Sequence, residues 1–235
     1  MRYNGKPVLW NIDYHAPQGS RIAIIGPNGA GKTTFLKTIL GLLHPLSGTV
    51  RFFGLPIKSQ RSRIAYVPQR ESVDWDFPAS VLDVVLMGLY RQMKWFGSVK
   101  PHHRLRALDA LDQLNIKSLA GCQIGQLSGG QQQRVFLCRA LVQDADLYLM
   151  DEPFAGIDAA TEQVIADVFK QLQRRGKTIL CVHHDLHTVY EYFDHVLILN
   201  RRKISDGPIE QILRPDLLYI AYEGKLPAFA MGMGT

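Results

Sequence analysis

The residues with the clearest chemical signature form a glycine-rich segment close to the N-terminus. This segment comprises Gly26, Pro27, Asn28, Gly29, Ala30, Gly31, Lys32, Thr33 and Thr34. It fits the phosphate-binding pattern G-x-x-x-x-G-K-[ST], in which backbone N–H groups surround an anion. Lys32 would reach the β- and γ-phosphates, and the Thr33 hydroxyl would ligate Mg²⁺. The segment therefore predicts nucleotide binding, with an ordinary glycine turn as the alternative.

The sequence on either side of this segment would hold it at the end of a core strand. An apolar run occupies 22–25, and the amphipathic stretch FLKTIL follows at 35–40. That order predicts a strand, a turn and a helix, whose N-terminal partial positive charge would attract phosphate. These flanks favour the phosphate-binding interpretation over the simple turn.

Two adjacent carboxylates end a second apolar run, at 147–150. Asp151, at the end of a predicted buried strand, is placed to hold Mg²⁺ directly or through water. Glu152 could polarise an attacking water as a general base. A solvated sheet edge is the alternative, which the phosphate-binding segment in the same chain disfavours.

A third segment, LSGGQ at 127–131, begins a helix predicted over 129–142. Ser128 and Gln131 have the spacing of a capping box. Gly129 and Gly130 would each cost roughly 1 kcal/mol relative to alanine in the first helical turn. Close approach of an anion would explain both glycines, so the segment predicts a second anion site.

The chain has 235 residues, of which 46% are hydrophobic, enough for one large α/β domain with a subdomain. The predicted core comprises 1–76 and 126–223, with an inserted helical subdomain at 77–125 and a loose tail at 224–235. Gln69 follows a strand ended by Pro68. Asp158 is expected to cap a helix that runs to Arg175.

Charge and composition exclude several classes of protein. The net charge of +6 suits an anionic ligand or a membrane surface, but no helix-turn-helix or similar nucleic-acid module is present. The three cysteines lack C-x-x-C spacing, which favours reduced thiols. The polar N-terminus is unlike a signal peptide, and the longest apolar stretch is too short to span a bilayer. We therefore expect a cytoplasmic location and no nucleic-acid partner.

These motifs together resemble those of the ATP-binding subunits of ABC transporters. Five segments agree with that family in identity and order: 26–34 (Walker A), Pro68-Gln69 (Q-loop), 127–131 (signature), 147–152 (Walker B) and His184 (switch histidine). The resemblance implies an α/β P-loop NTPase fold with an antiparallel β subdomain and an inserted helical subdomain. It also implies ATP hydrolysis with Mg²⁺.

The resemblance assigns roles within one subunit. Tyr3 would stack on adenine, and His184 would contact the γ-phosphate. Gln69 would link that phosphate and Mg²⁺ to the helical subdomain, while Glu152 and Lys32 act in catalysis.

Other residues would act across a dimer of two copies arranged head to tail around ATP. Those expected to contact the nucleotide of the second copy, or to lie at the dimer interface, are Ser128, Gly129, Gly130, Gln131 and Asp158.

The sequence VDWDFP at 73–78 resembles that of importers for manganese, iron or zinc, with manganese the first candidate. The implied partners are a polytopic membrane permease and a periplasmic or lipoprotein metal-binding protein. The chain would then lie peripherally at the cytoplasmic face of the membrane. A soluble ABC ATPase of translation or repair, and an exporter ATPase, are the alternatives.

Overall fold

Strands and helices alternate along residues 2–3, 6–93 and 98–224, which are the residues that the computed structural model describes. In chain order the strands are β1 (Arg2–Tyr3), β2 (Lys6–Pro7), β3 (Arg21–Ile25), β4 (Arg51–Phe52), β5 (Leu55–Pro56), β6 (Ile64–Val67), β7 (Leu147–Asp151), β8 (Thr178–Val182), β9 (His195–Asn200) and β10 (Arg202–Pro208). The α-helices are α1 (Lys32–Ile39), α2 (Ile57–Gln60), α3 (Val81–Met87), α4 (Pro101–Gln113), α5 (Gly129–Leu141), α6 (Ala159–Arg174), α7 (Val189–Tyr192), α8 (Ile209–Ile212) and α9 (Pro215–Ala221).

These elements form two compact units. One contains the residues up to Arg61 together with those from Leu172 onward, and the other is Ser62–Gln171. No helix among the described residues is long and apolar enough to cross a membrane.

In the first unit, β3 lies between two parallel neighbours. It pairs with β8 on one side and with β9 on the other, and β9 pairs antiparallel with β10. Residues Ile22–Ile25 are fully buried, as expected for an apolar strand inside a parallel sheet. Because β3 and β8 run in the same direction, the residues that follow them lie at one edge of the sheet.

Smaller antiparallel pairs complete the strands of this unit. β1 pairs with β2, which places Tyr3 opposite Lys6, and β4 pairs with β5. The sequence predicts a strand, a turn and a second strand over Arg2–Tyr14. In the structure the second strand, β2, ends at Pro7 and does not continue towards Tyr14.

The second unit contains the parallel pair β6–β7 and the helices α3, α4 and α5. All five residues of β7 are buried. Apolar residues at 81, 82, 85, 86 and 89 recur with helical period and predict an amphipathic helix. This prediction is confirmed, since each of them is buried: Val81, Leu82, Val85, Leu86 and Leu89. A capping box at Ser80 and Asp83 starts this helix.

The prediction for α4 is partly wrong. Leucines at 105, 108, 111 and 114 predict an apolar stripe on a second helix, but Leu105 is 60% exposed and Leu114 is fully buried. At 3.6 residues per turn, positions nine apart lie on opposite sides of a helix. The two histidines at 102–103 predict a solvated helix start, but His103 is buried on the face that carries Ala107 and Leu111.

The sequence predicts a helix over Thr33–Leu43 that ends near Gly41, and α1 ends at Ile39. Gly41 has a φ of 68°, Gly41 N donates to Thr38 O at 2.9 Å, and Leu42 N donates to Lys37 O at 3.0 Å. This is a Schellman ending, which satisfies the last carbonyls and turns the chain away. Of the predicted loose tail at 224–235, the structure describes only Gly224, and the rest lies outside the described residues.

Candidate active site

The glycine-rich segment forms a tight loop between β3 and α1. Gly26, Gly29 and Gly31 have φ values of 148°, 79° and 93°, which glycine adopts readily. A Cβ on Gly26 would lie 1.9 Å from the carbonyl oxygen of Leu199, so the backbone there leaves no room for a side chain. The predicted strand, loop and helix are confirmed as structure.

Lys32 spans this loop from the first turn of α1. Its side chain is buried, and Nζ donates to Gly26 O at 2.8 Å and to Pro27 O at 3.0 Å. Neutral carbonyls are weaker partners for an ammonium than a phosphate anion is. The residue therefore brings a buried positive charge to the mouth of the loop.

The N-terminus of α1 is suited to an anion. Among the described residues, no side chain caps Gly31 and no acidic residue lies in the first turn of this helix. The first backbone N–H groups of a helix lack intrahelical partners, and the helix dipole makes this end positive. Together with Lys32, these groups give the first unit a positively charged cradle whose chemistry suits an anion.

His184 lies at the same sheet edge as the loop. It follows β8, and Ile24 of β3 is in register with Val182 of β8. His184 is exposed. A side chain in this position is available to a ligand held at the carboxyl ends of the strands.

The neighbouring His183 is buried and has a different role. Its Nε2 lies 2.7 Å from Thr188 Oγ1, and that hydroxyl donates to Asp185 O at 3.3 Å. Burial lowers the pKa of His183 to about 4, so the ring is neutral at physiological pH. The pair of contacts fixes the turn that carries His184.

In the second unit, β6 and β7 bring Gln69 and the two carboxylates together. Asp151 ends β7 and is 1% exposed. Gln69 Nε2 donates to Glu152 Oε2 at 3.2 Å. Glu152 has a φ of 56°, a left-handed conformation that is uncommon outside glycine and recurs at functional sites.

The electrostatic surroundings of Asp151 include Tyr66. Burial, and secondarily the Asp151 carboxylate, raise the pKa of Tyr66 to about 12. The phenol is therefore protonated at neutral pH beside a buried negative charge. A buried carboxylate of this kind suits Mg²⁺, which is held by few protein ligands plus phosphate and water oxygens.

The signature segment starts α5 with the predicted capping box. Gln131 N donates to Ser128 Oγ at 3.4 Å, and Ser128 N donates to Gln131 Oε1 at 2.9 Å. Ser128 is exposed, and Gly129 and Gly130 form the first turn. A Cβ on Gly130 would meet Thr161 Oγ1 at 3.5 Å, an ordinary contact that does not itself require glycine.

Asp158 caps α6, as predicted. Its Oδ1 accepts from Thr161 N and its Oδ2 accepts from Thr161 Oγ1, both at 2.9 Å. The bond from the Thr161 backbone N–H is the main reason why the pKa of Asp158 is lowered. The carboxylate is therefore fixed and ionised at neutral pH.

ATP and Mg²⁺ fit the residues of each unit taken separately. The first unit offers a glycine-rich loop, a buried ammonium and a positive helix end. The second offers a buried carboxylate, a carboxamide and an exposed serine. No cluster of three or more potential metal-ligating side chains occurs in the part of the chain that the structure describes.

For Tyr3, a predicted site residue, the structure describes only the backbone. The sequence analysis did not single out two other residues near the site, Arg70 and Gln132. Tyr3 belongs to β1, but its side chain lies outside the described residues, so adenine stacking stays a prediction. Arg70 and Gln132 are joined by a hydrogen bond of 3.0 Å beside the signature segment. Gln132 could have been identified from the sequence, because it is a polar residue at a position of the amphipathic helix α5 that faces the core.

The α/β fold and the loop between β3 and α1 define a P-loop nucleotide-binding protein. Residues 9–155, more than half of the chain, match the family model described as ABC transporter. The chain therefore belongs to the ABC transporter family, and as an ATP-binding subunit of this family it hydrolyses ATP.

Two relatives resemble the chain over nearly its whole length. It is 54% identical over 235 residues to the zinc transport system ATP-binding protein TroB of Treponema pallidum (strain Nichols), covering 100% of this chain and 88% of the relative. It is 53% identical over 226 residues to the manganese transport system ATP-binding protein MntB of Bacillus subtilis (strain 168), covering 96% and 90%. Both relatives are named as parts of transport systems. The alternative that the chain is a soluble ABC ATPase of translation or repair is therefore not favoured.

A solved structure supports the same grouping. The dimeric post-hydrolysis state of an ATP-binding cassette bound to ADP and Pi has a TM-score of 0.76 and 28% identity, and the match covers 86% of this chain and 90% of that one.

Proposed function

We propose that the chain is the ATPase subunit of an importer for a transition-metal ion, with manganese as the first candidate and zinc or iron as the others. The observation that carries this proposal is the identity above half to both a zinc and a manganese transport subunit. ATP hydrolysis by this chain would drive movement of the ion through a separate membrane permease.

The first unit binds the triphosphate in this proposal. Backbone N–H groups of the loop at 26–34 and the ammonium of Lys32 stabilise the phosphates. The Thr33 hydroxyl would hold Mg²⁺, which neutralises charge on the phosphate oxygens. His184 contacts the γ-phosphate from the neighbouring strand end.

The second unit supplies the groups for hydrolysis. Glu152 polarises the attacking water as general base, and its 3.2 Å contact with Gln69 orients the carboxylate. Asp151 would hold Mg²⁺ together with Gln69. The strained backbone at Glu152 is typical of a residue whose position is set by function.

The signature segment acts on ATP bound by a second copy of the chain. Among the residues that the structure describes, the nearest atom to a Cβ on Gly130 would lie at 3.5 Å, and Ser128 is exposed at a helix N-terminus. A glycine that intrachain packing does not require, beside a positive helix end, favours a ligand from outside the chain. We infer a head-to-tail dimer in which Asp158 lies at the interface and two ATP molecules are shared.

The membrane permease docks on the second unit beside the segment at 73–78. There, a cavity of about 240 Å³ is lined by apolar side chains that include Trp75, Phe77, Met87 and Phe136. Phe77 is exposed, as expected for a residue that a partner covers. Docking would hold the chain at the cytoplasmic face of the membrane, and a separate metal-binding protein would deliver the ion.

Uptake of radiolabelled Mn²⁺, Zn²⁺ and Fe²⁺ tests this function. The host cells have the gene for this chain deleted, and they are supplied with a plasmid copy of either the wild type or Glu152→Gln. We expect the wild type to restore uptake of one ion, with Mn²⁺ first, and Glu152→Gln to restore none. Equal uptake of all three ions with and without the chain would contradict the proposal.

A further inference from the structure

Arg70, which directly follows Gln69, is fixed by contacts of both its side chain and its backbone. Its Nε donates to Gln132 Oε1 at 3.0 Å, and its guanidinium lies 6.0 Å from the ring centroid of Trp75. Its carbonyl oxygen accepts a hydrogen bond from Trp75 Nε1 at 2.9 Å. Arg70 therefore connects the segment around Trp75 to α5.

Gln132 extends this connection within the second unit. The side chain is 3% exposed, and Nε2 donates to Ile124 O at 3.2 Å while Oε1 accepts from Arg70. Because the oxygen and the nitrogen of the amide are both bonded, its orientation is defined. Gln132 thus links Arg70 to the segment that precedes the signature.

The two signature glycines differ in their surroundings. A Cβ on Gly129 would lie 3.1 Å from Arg70 Cζ, closer than an ordinary contact, whereas a Cβ on Gly130 would approach its nearest neighbour only to 3.5 Å. Gly129 leaves room for the guanidinium against the first turn of α5. Packing against Arg70 thus favours glycine at 129, whereas the described neighbours of Gly130 do not require glycine there.

Trp75 also contacts α5 directly. Its ring packs edge-on against Phe136, with the ring centroids 5.1 Å apart. Trp75 lines the cavity that we assign to the membrane partner. The segment with Trp75 therefore reaches α5 at two places, through Phe136 and through Arg70.

We propose that Arg70 is a positioning residue that holds the first turn of α5 in a fixed relation to the segment carrying Trp75. This inference rests on the proposed function, because its purpose is to place Ser128 and Gly130 for ATP bound by a second copy. In this proposal Arg70 acts through α5 and Trp75, the groups that it contacts, and not on the nucleotide or the metal directly. A permease that docks beside Trp75 and moves this segment would therefore also move the first turn of α5, through Arg70.

The test measures ATP-driven dimerisation of the full chain in a Glu152→Gln background by analytical ultracentrifugation. Adding Arg70→Ala is expected to raise the dimer dissociation constant about tenfold, because a hydrogen bond to a charged group is lost. The affinity of the monomer for ADP, measured by calorimetry, should not change, since the loop at 26–34 is intact. That second measurement also shows that the variant is folded.

Three further variants separate positioning from a general loss of structure. Gln132→Leu should raise the dissociation constant at least as much as Arg70→Ala, because it also removes the bond to Ile124 O. The double variant should be less impaired than the sum of the two single effects, because both variants remove the Arg70–Gln132 hydrogen bond. Trp75→Phe keeps the ring but removes the N–H donor, so a smaller increase is expected. Arg63→Ala is the matched control: it removes another arginine of this unit, bound to Asp146 at 2.6 Å, and should leave dimerisation unchanged.

Several results would overturn the inference. Undiminished dimerisation of Arg70→Ala would do so, as would additive effects of Arg70→Ala and Gln132→Leu. A loss of ADP affinity in Arg70→Ala would make the arginine a nucleotide ligand instead. A Glu152→Gln parent that stays monomeric with ATP would contradict the shared site itself, and the inference with it.

Discussion

Replacement of Gly26 by alanine should destabilise the chain far more than replacement of Gly19, although the two glycines flank the same strand. Gly19 has a φ of 72° and open space around it, so alanine there incurs only left-handed strain of roughly 1–2 kcal/mol. At Gly26 the φ is 148° and the new Cβ would lie 1.9 Å from Leu199 O. No change of rotamer relieves a clash between Cβ and backbone, so we expect a loss of about 3 kcal/mol or more.

Thermal unfolding followed by circular dichroism measures this difference. For a chain of this size, 1 kcal/mol corresponds to about 2–4 °C in Tm, so Gly26→Ala should lower Tm by about 6–12 °C and Gly19→Ala by about 2–8 °C. ATP should raise the Tm of Gly19→Ala but not that of Gly26→Ala, whose loop must shift. Equal Tm values for both variants, with the same response to ATP, would refute the reasoning.

Two further predictions concern Lys32 and His183. Lys32→Ala should weaken ATP binding about 10- to 100-fold in a fluorescence titration, because a buried ammonium no longer meets the phosphates, and unchanged affinity would contradict the phosphate-binding loop. Since burial lowers the pKa of His183 to about 4, its contribution to stability is complete above the unfolded pKa of about 6.5 and is lost as the pH falls towards 4. The free energy of unfolding should fall by about 3 kcal/mol over that range, this fall should be absent in His183→Gln, and it should persist in the exposed control His187→Gln.

Features determined by local sequence were predictable. The capping box of α5 and the loop between β3 and α1 depend on residue types at fixed spacings, and both occur where the sequence indicates. The stripe on α3 was equally clear, since its apolar residues recur with helical period.

Features determined by packing were not predictable in the same way. Leucines on α4 recur every third residue, and the sequence alone does not show that the buried face is the one with His103 and Ala107. The reason for Gly129 also depends on tertiary structure, because the guanidinium that it accommodates comes from a residue far away in the chain.

The dimeric state of Glu152→Gln with ATP and Mg²⁺ tests the central claim most directly. Light scattering coupled to size-exclusion chromatography should show a monomer without nucleotide and a stable dimer with ATP, while phosphate release falls to background. ADP in place of ATP serves as the control and should leave the monomer. A variant that binds ATP yet stays monomeric, or one that hydrolyses ATP at the wild-type rate, would contradict the shared site and the role of Glu152.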